Sequence, residues 1–393
     1  MKAPNAILNI KVAKKFKKIH LAVIALAVLT VALTLGLYLK SKPAQKPQVA
    51  AATAGEVLEL KEILGPDQTI RLLATRKLVE RVGVEEALEI LKNSGLPYTG
   101  EGHLAVHQVG FHAYEVYGKD AVLHCKDYFL SACYHGAIIE AASAEGTQVI
   151  KEMTDRCRHF APTFFQCVHA AGHSINAIWN YDLPNALKTC DQLYEADTGF
   201  PDTLTSCHNG AFMENLFGVH DWGTENSPKK DWLSEDPYFP CNAMSVKYQK
   251  GCWLNQAARI YQMHNSDLVI TAQLCEAIGN RQYTAWCIDN LSRQIHPLTE
   301  SNINKVWQLC SQIGQHNLTT CVMINAVSYY SVGDRPLGID VCNTLDPTWR
   351  SQCLVPIINY LLSDNIAKNQ KTDLCRRIIG NDQIACLERL KSI

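Results

Sequence analysis

Ten of the fourteen histidines lie between His103 and His220, and their spacing is that of metal ligands. His103 and His107 are four residues apart, as are His169 and His173. On a helix that spacing places two imidazoles on one face, the arrangement of metal-binding His-x-x-x-His pairs. Aligned on a cysteine, three stretches read CYHGAIIEA (133–141), CVHAAGHSI (167–175) and CHNGAFMEN (207–215). The cysteine-free HLAVHQVGFHAY (103–114) fits one step earlier, so His107, His135 and His169 fall at equivalent positions. His107, His135, His169 and His173, with oxygen from Glu140 or Glu214, make a candidate metal site. That composition suits zinc, with copper, iron or nickel as alternatives. Glu140 lies five residues after His135, about 140° round the helix, so it reaches the same ion only with help from neighbouring elements. His103, His112, His208 and Trp222 are candidate ligand-binding residues around the site. The competing reading buries each histidine in a helix seam against a neighbouring carbonyl or side chain.

Two functions fit this chemistry. One is a binding or scaffold module whose specificity lies on the histidine-bearing surface. The other is a metal-dependent hydrolase or lyase, in which three histidines leave a coordination position open, the bound water is acidified, and Glu140 or Glu214 acts as base. No Gly-x-Ser-x-Gly elbow is present to support serine chemistry.

The elements that must carry these residues are set out by the cysteines. Sixteen cysteines with no Cys-x-x-Cys turn argue against zinc ribbons and c-type haem and for disulfides. Taken two at a time they are Cys125 with Cys133, Cys157 with Cys167, Cys190 with Cys207, Cys241 with Cys252, Cys275 with Cys287, Cys310 with Cys321, Cys342 with Cys353 and Cys375 with Cys386. The first members advance by about 33 residues, with one longer step, and such a period signals a solenoid or array. Stretches such as SDLVITAQLCEAIGN, SNINKVWQLCSQIGQ and KTDLCRRIIGN read as helices. Ser266, Ser301 and Thr372 are expected as N-caps, and Gly279, Gly314 and Gly380 as left-handed C-terminal residues. A second helix opens near the second cysteine, as in CWLNQAARIYQM and CLVPIINYLL. A cysteine at the end of one helix meets one at the start of the next across a hairpin, so each pair is expected to close on itself.

The fold class expected is therefore all-α: a right-handed solenoid of αα-hairpins stapled by eight disulfides. Over about 84 to 393 the chain resembles, in period and architecture, the tetratricopeptide and Sel1-like class of αα-repeats, and especially the disulfide-bridged Sel1-like proteins. The tetratricopeptide Trp/Gly/Tyr pattern and the Sel1 glycine-rich turn are not part of the likeness.

The early repeats form two alternating kinds. His107-x-x-Gly110 matches His169-x-x-Gly172, and Gly136-Ala-x-x-Glu140 matches Gly210-Ala-x-x-Glu214, which suggests a duplicated two-hairpin unit. Glycine inside a helix costs about 1 kcal/mol relative to alanine, so these four argue for a close approach of backbones or of a ligand. Residues 56–217 are the histidine-rich repeats. Residues 218–240, with Trp222, Trp232, Tyr238 and Phe239, read as an insertion able to act as a lid or partner-binding flap. Residues 241–393 read as structural repeats, with Trp253, Leu254, Val322, Ile324, Leu354 and Ile357 in the inter-repeat core.

Before the repeats, LAVIALAVLTVALTLGLYL (21–39) carries no charge and is long enough for one bilayer crossing, so 19–39 is expected to be a transmembrane signal anchor. Lys11, Lys14, Lys15, Lys17 and Lys18 place residues 1–18 in the cytoplasm, and a periplasmic or extracellular repeat domain follows a stalk at 40–55. A cleaved signal peptide is the rival, with a shorter apolar region. Lys+Arg of 37 against Asp+Glu of 38 gives no field for nucleic acid. The partners expected are the membrane and a protein or peptide on the solenoid surface.

Overall fold

Helical hairpins follow one another along the chain in the computed structural model, which describes residues 54–392 apart from 99, 160, 198, 200, 201, 219–230, 364 and 365. The expected membrane segment, cytoplasmic tail and most of the stalk lie outside the described residues. Among the described residues no helix is long and apolar enough to cross a membrane, and no strand is present.

Helices Ala54–Ile63 and Gln68–Val82 precede the hairpins. The first helices of the hairpins are Val84–Lys92, Ala121–His124, Gln148–Arg156, Leu183–Tyr194, Leu268–Glu276, Ile303–Gln312, Arg335–Asn343 and Lys368–Arg377. The second helices are Glu101–Tyr117, Tyr128–Glu145, Ala161–Ile178, Thr203–Phe217, Gln249–Met263, Arg281–Ile295, Leu318–Ser331, Pro347–Ser363 and Asn381–Lys391. Each second helix packs on the second helix of the next hairpin from Glu101 to the end, so equivalent positions on successive repeats become neighbours.

All eight expected disulfides are formed. Cys125 is bonded to Cys133, Cys157 to Cys167, Cys190 to Cys207 and Cys241 to Cys252. In the later repeats Cys275 is bonded to Cys287, Cys310 to Cys321, Cys342 to Cys353 and Cys375 to Cys386. Their Cα separations run from 5.4 to 6.5 Å, inside the range a disulfide spans without moving the backbone. No free cysteine remains among the described residues. Closing each short loop contributes about 2 to 4 kcal/mol, chiefly through the unfolded chain. The second cysteine of each pair sits within the first two turns of its helix: Cys133, Cys167, Cys207, Cys252, Cys287, Cys321, Cys353 and Cys386. The first is less regular. Cys125 and Cys157 directly follow their helices, and Cys241 lies in a 3-10 turn, Cys241–Ala243, where the longer step of the repeat falls.

The helix starts differ from the expected ones by one residue or more. Asp267 accepts from Ile270 N at 2.9 Å, and Asn302 accepts from Asn304 N at 2.9 Å, so these are the N-caps. Ser266 and Ser301 have left-handed backbones in the preceding turns. Thr372 is inside its helix, its hydroxyl donating to Lys368 O at 2.8 Å. At the first two starts an Asx side chain reaches the free amides of the first turn better than a residue one step earlier and takes the capping role, while the third helix begins after Ala367. Gly279, Gly314 and Gly380 do have positive φ, at 74°, 98° and 72°.

The described end of the insertion packs against the repeats. Trp232 stacks on Phe239 at 5.7 Å, and Gln256 Nε2 donates to the carbonyls of Pro237 and Phe239 at 2.8 and 2.9 Å. Trp253, Val322, Leu354 and Ile357 are buried in the core as expected, while Leu254 and Ile324 are half-buried.

Candidate metal centre

The four second helices that carry the histidines are drawn together by glycine. A Cβ on Gly110 would stand 2.2 Å from the Cys133 carbonyl oxygen, and one on Gly136 would stand 2.2 Å from that of His107. The next pair repeats the arrangement: a Cβ on Gly172 would stand 2.1 Å from Cys207 O, and one on Gly210 would stand 2.0 Å from His169 O. Helix Glu101–Tyr117 is thus pressed on Tyr128–Glu145, and Ala161–Ile178 on Thr203–Phe217, closer than any side chain allows. Of the two causes the glycines suggested, backbone approach is the one present. The histidines flanking these contacts are carried into the seam between helices.

Five rings meet there. His107 Nε2 is 3.0 Å from His103 Nε2, and His135 Nδ1 is 3.2 Å from the same His103 Nε2. On the other side of His135, His173 Nε2 is 3.1 Å from His169 Nε2, and the His135 and His173 ring centroids are 4.6 Å apart. Two groups result: His103, His107 and His135, and His135, His169 and His173, each with one nitrogen per residue within 4.8 Å of the others. Two imidazole nitrogens on one tetrahedral ion, each bound at about 2.0–2.1 Å, stand about 3.3 Å apart. The spacings observed are close to that chord.

The outer nitrogens of His103 and His173 are held by partners that fix the tautomer. A carbonyl only accepts, so His103 Nδ1 donates to Phe129 O, at 2.7 Å, and the lone pair of its Nε2 faces His107 and His135. His173 Nδ1 donates to Glu214 Oε2 at 3.0 Å, whose other oxygen accepts from the Tyr181 hydroxyl at 2.8 Å, so His173 Nε2 likewise presents a lone pair inward. The Asn209 side chain hydrogen-bonds His169. Contacts of this kind orient the ligating histidines in metal sites generally.

Burial completes the setting. His107 and His173 are 0 % exposed and His135 is 2 % exposed, while His169 is only partly buried. Desolvation, and then the neighbouring imidazoles, push His135 and His169 well below the ordinary histidine value. Both rings are therefore neutral at pH 7, the state a metal binds. His135 Nε2 is buried with no hydrogen-bond partner, which costs about 1–3 kcal/mol unless something occupies it.

The other candidates fall elsewhere. Glu214 is fully buried but stands behind His173, not beside the converging nitrogens. Glu140 is half-buried and not among the converging groups, its charge being felt instead at the Tyr114 hydroxyl. His112 Nδ1 lies 3.5 Å from Glu115. His208 belongs to a separate seam, 2.9 Å from Asp191, which also holds Lys247 and the Tyr248 hydroxyl. Trp222 is outside the described residues. Phe129, Tyr181 and Asn209 were not singled out from the sequence. Asn209 had a signal available: it occupies the His135 position of the alignment.

No family model, curated protein or solved structure matches the chain.

Proposed function

We propose that this is a metal-binding helical-repeat protein displayed at the outer face of a membrane, its histidine cluster holding a transition metal between stacked second helices. The observation that carries the reading is the convergence of buried ring nitrogens from His103, His107, His135, His169 and His173, with the outer nitrogens of His103 and His173 engaged elsewhere. Eight disulfides support an oxidising, extracytoplasmic setting for the folded repeats. The uncharged stretch at 21–39 supports an N-terminal anchor, and the right-handed solenoid with a protein or peptide partner on its surface completes the proposal.

Binding is favoured over hydrolysis. A hydrolytic centre must admit its substrate to the metal-bound water, whereas four of the five rings are buried and Glu214 is engaged by His173 and Tyr181. Zinc and copper fit an all-imidazole donor set best, followed by nickel and iron.

The test is metal analysis of untagged full-length protein purified in detergent and dialysed against zinc or copper. At least one ion per chain is expected, lost in the double variant His169→Ala with His173→Ala while helical circular dichroism and closed disulfides persist. A folded wild-type chain that takes up no ion would refute the proposal.

A further inference from the structure

We propose that the cluster is a two-metal site in which the His135 ring, as an imidazolate, bridges a pocket made with His103 and His107 to a second pocket made with His169 and His173. This rests on the metal-binding reading and goes beyond it, because that reading requires only one ion.

His135 is the only residue common to both convergent groups. Its helix, Tyr128–Glu145, packs between Glu101–Tyr117 and Ala161–Ile178, so its ring has a pair of histidines on either side. The two ring nitrogens differ in their surroundings. Nδ1 is 3.2 Å from His103 Nε2, and Nε2 is buried with no hydrogen-bond partner. A ring used by one ion satisfies one nitrogen and leaves the other buried. A ring used by two ions satisfies both. Each pair, His103 with His107 and His169 with His173, presents two Nε2 atoms 3.0 to 3.1 Å apart, too few alone for a three-coordinate site. Each is completed only by His135.

The proton and charge balance follows from the tautomers. In the first pocket His135 binds through the lone pair of Nδ1 and keeps its proton on Nε2. Filling the second pocket requires that proton to leave to solvent, and the ring becomes an anion. The two bound cations are offset in part by this negative ring and by the buried Glu214 carboxylate behind His173. No electron transfer is involved in assembly. His169, only partly buried, gives the second ion its route in.

Copper is the discriminating probe, since an imidazolate couples two copper(II) spins and cancels most of their paramagnetic resonance at liquid-helium temperature. No free thiol is present among the described residues to reduce it. Full-length protein in detergent is titrated with copper(II) chloride and followed by metal analysis, released acid and paramagnetic resonance. Two ions per chain are expected, with one proton released mainly in the second step and a resonance signal far below that of two isolated ions. The double variant His103→Ala with His107→Ala should lower the capacity to one ion and restore its full signal, and His135→Gln should abolish coupling. One ion per wild-type chain, or two with undiminished signal, would overturn the bridge and leave the metal-binding function standing. No ion at all, in a chain with native circular dichroism, would overturn both.

Discussion

Glu214 separates a carboxylate that binds metal from one that aims a ligand. Its oxygens accept from His173 Nδ1 and the Tyr181 hydroxyl, so a metal held at the proposed site would feel it only through the imidazole. Glu214→Gln should therefore keep the number of ions bound at saturation and weaken affinity about 10–100-fold, the usual cost of losing such an outer partner. Chelator competition measures it, and a lost ion would instead make Glu214 a direct ligand. Protonation gives a second residue-level expectation. His135 and His169 sit below 6.5 when folded and return to about 6.5 when unfolded. Below that pH the unfolded chain binds more protons, so metal-free protein should hold its stability above about pH 6.5 and lose it progressively on acidification. Denaturation midpoints across that range test the sign; rising stability on acidification would contradict it. The row of His107, His135 and His169 was legible because a repeat puts equivalent positions side by side. Phe129 and Tyr181 were not, because a backbone carbonyl and a distant hydroxyl leave no mark on spacing.

Between residue and molecule, the helix contacts decide whether the rings can meet. Phe129, Leu130 and Ser131 all have left-handed backbones, at φ of 53°, 54° and 65°, in the segment that presents the Phe129 carbonyl to His103. Three such non-glycine residues in a row cost of order 1–3 kcal/mol each, and nothing in YFLSACYHG announces them. The glycines were more informative. Their cost inside helices required a compensating close approach, and Gly136 supplies one: a Cβ there would stand only 2.2 Å from His107 O. Gly136→Ala should push Tyr128–Glu145 away from Glu101–Tyr117, lowering stability by about 1–3 kcal/mol as overpacking does. Metal affinity should fall with it, because His103 and His107 move relative to His135. Thermal melts with and without metal read the two effects. A variant as stable as the parent would mean that the seam has slack, and the glycine contact would not position the histidines.

At the scale of the whole fold, the buried apolar residues fall into one cluster running from Ile63 to Cys207 and another from Ala257 to Leu390, with Leu183, Phe212 and Trp253 in a smaller one in the intervening repeats. All the converging histidines belong to the first stretch. The cysteine period made the eight disulfide-closed repeats legible, since a disulfide within a repeat is a local constraint. The division of the core depends on packing between repeats, which a period does not specify. Repeats that touch mainly their neighbours should fail locally. Removing the last staple, by Cys375→Ala together with Cys386→Ala, should cost about 2 to 4 kcal/mol, and that loss should be confined to the C-terminal hairpins. Hydrogen exchange should then speed up in Lys368–Arg377 and Asn381–Lys391 while Glu101–Tyr117 and Ala161–Ile178 keep their protection, and metal uptake should be unchanged. Equal loss of protection in both regions would show that the two cores unfold as one, and a site so far along the chain would then depend on a disulfide it never touches.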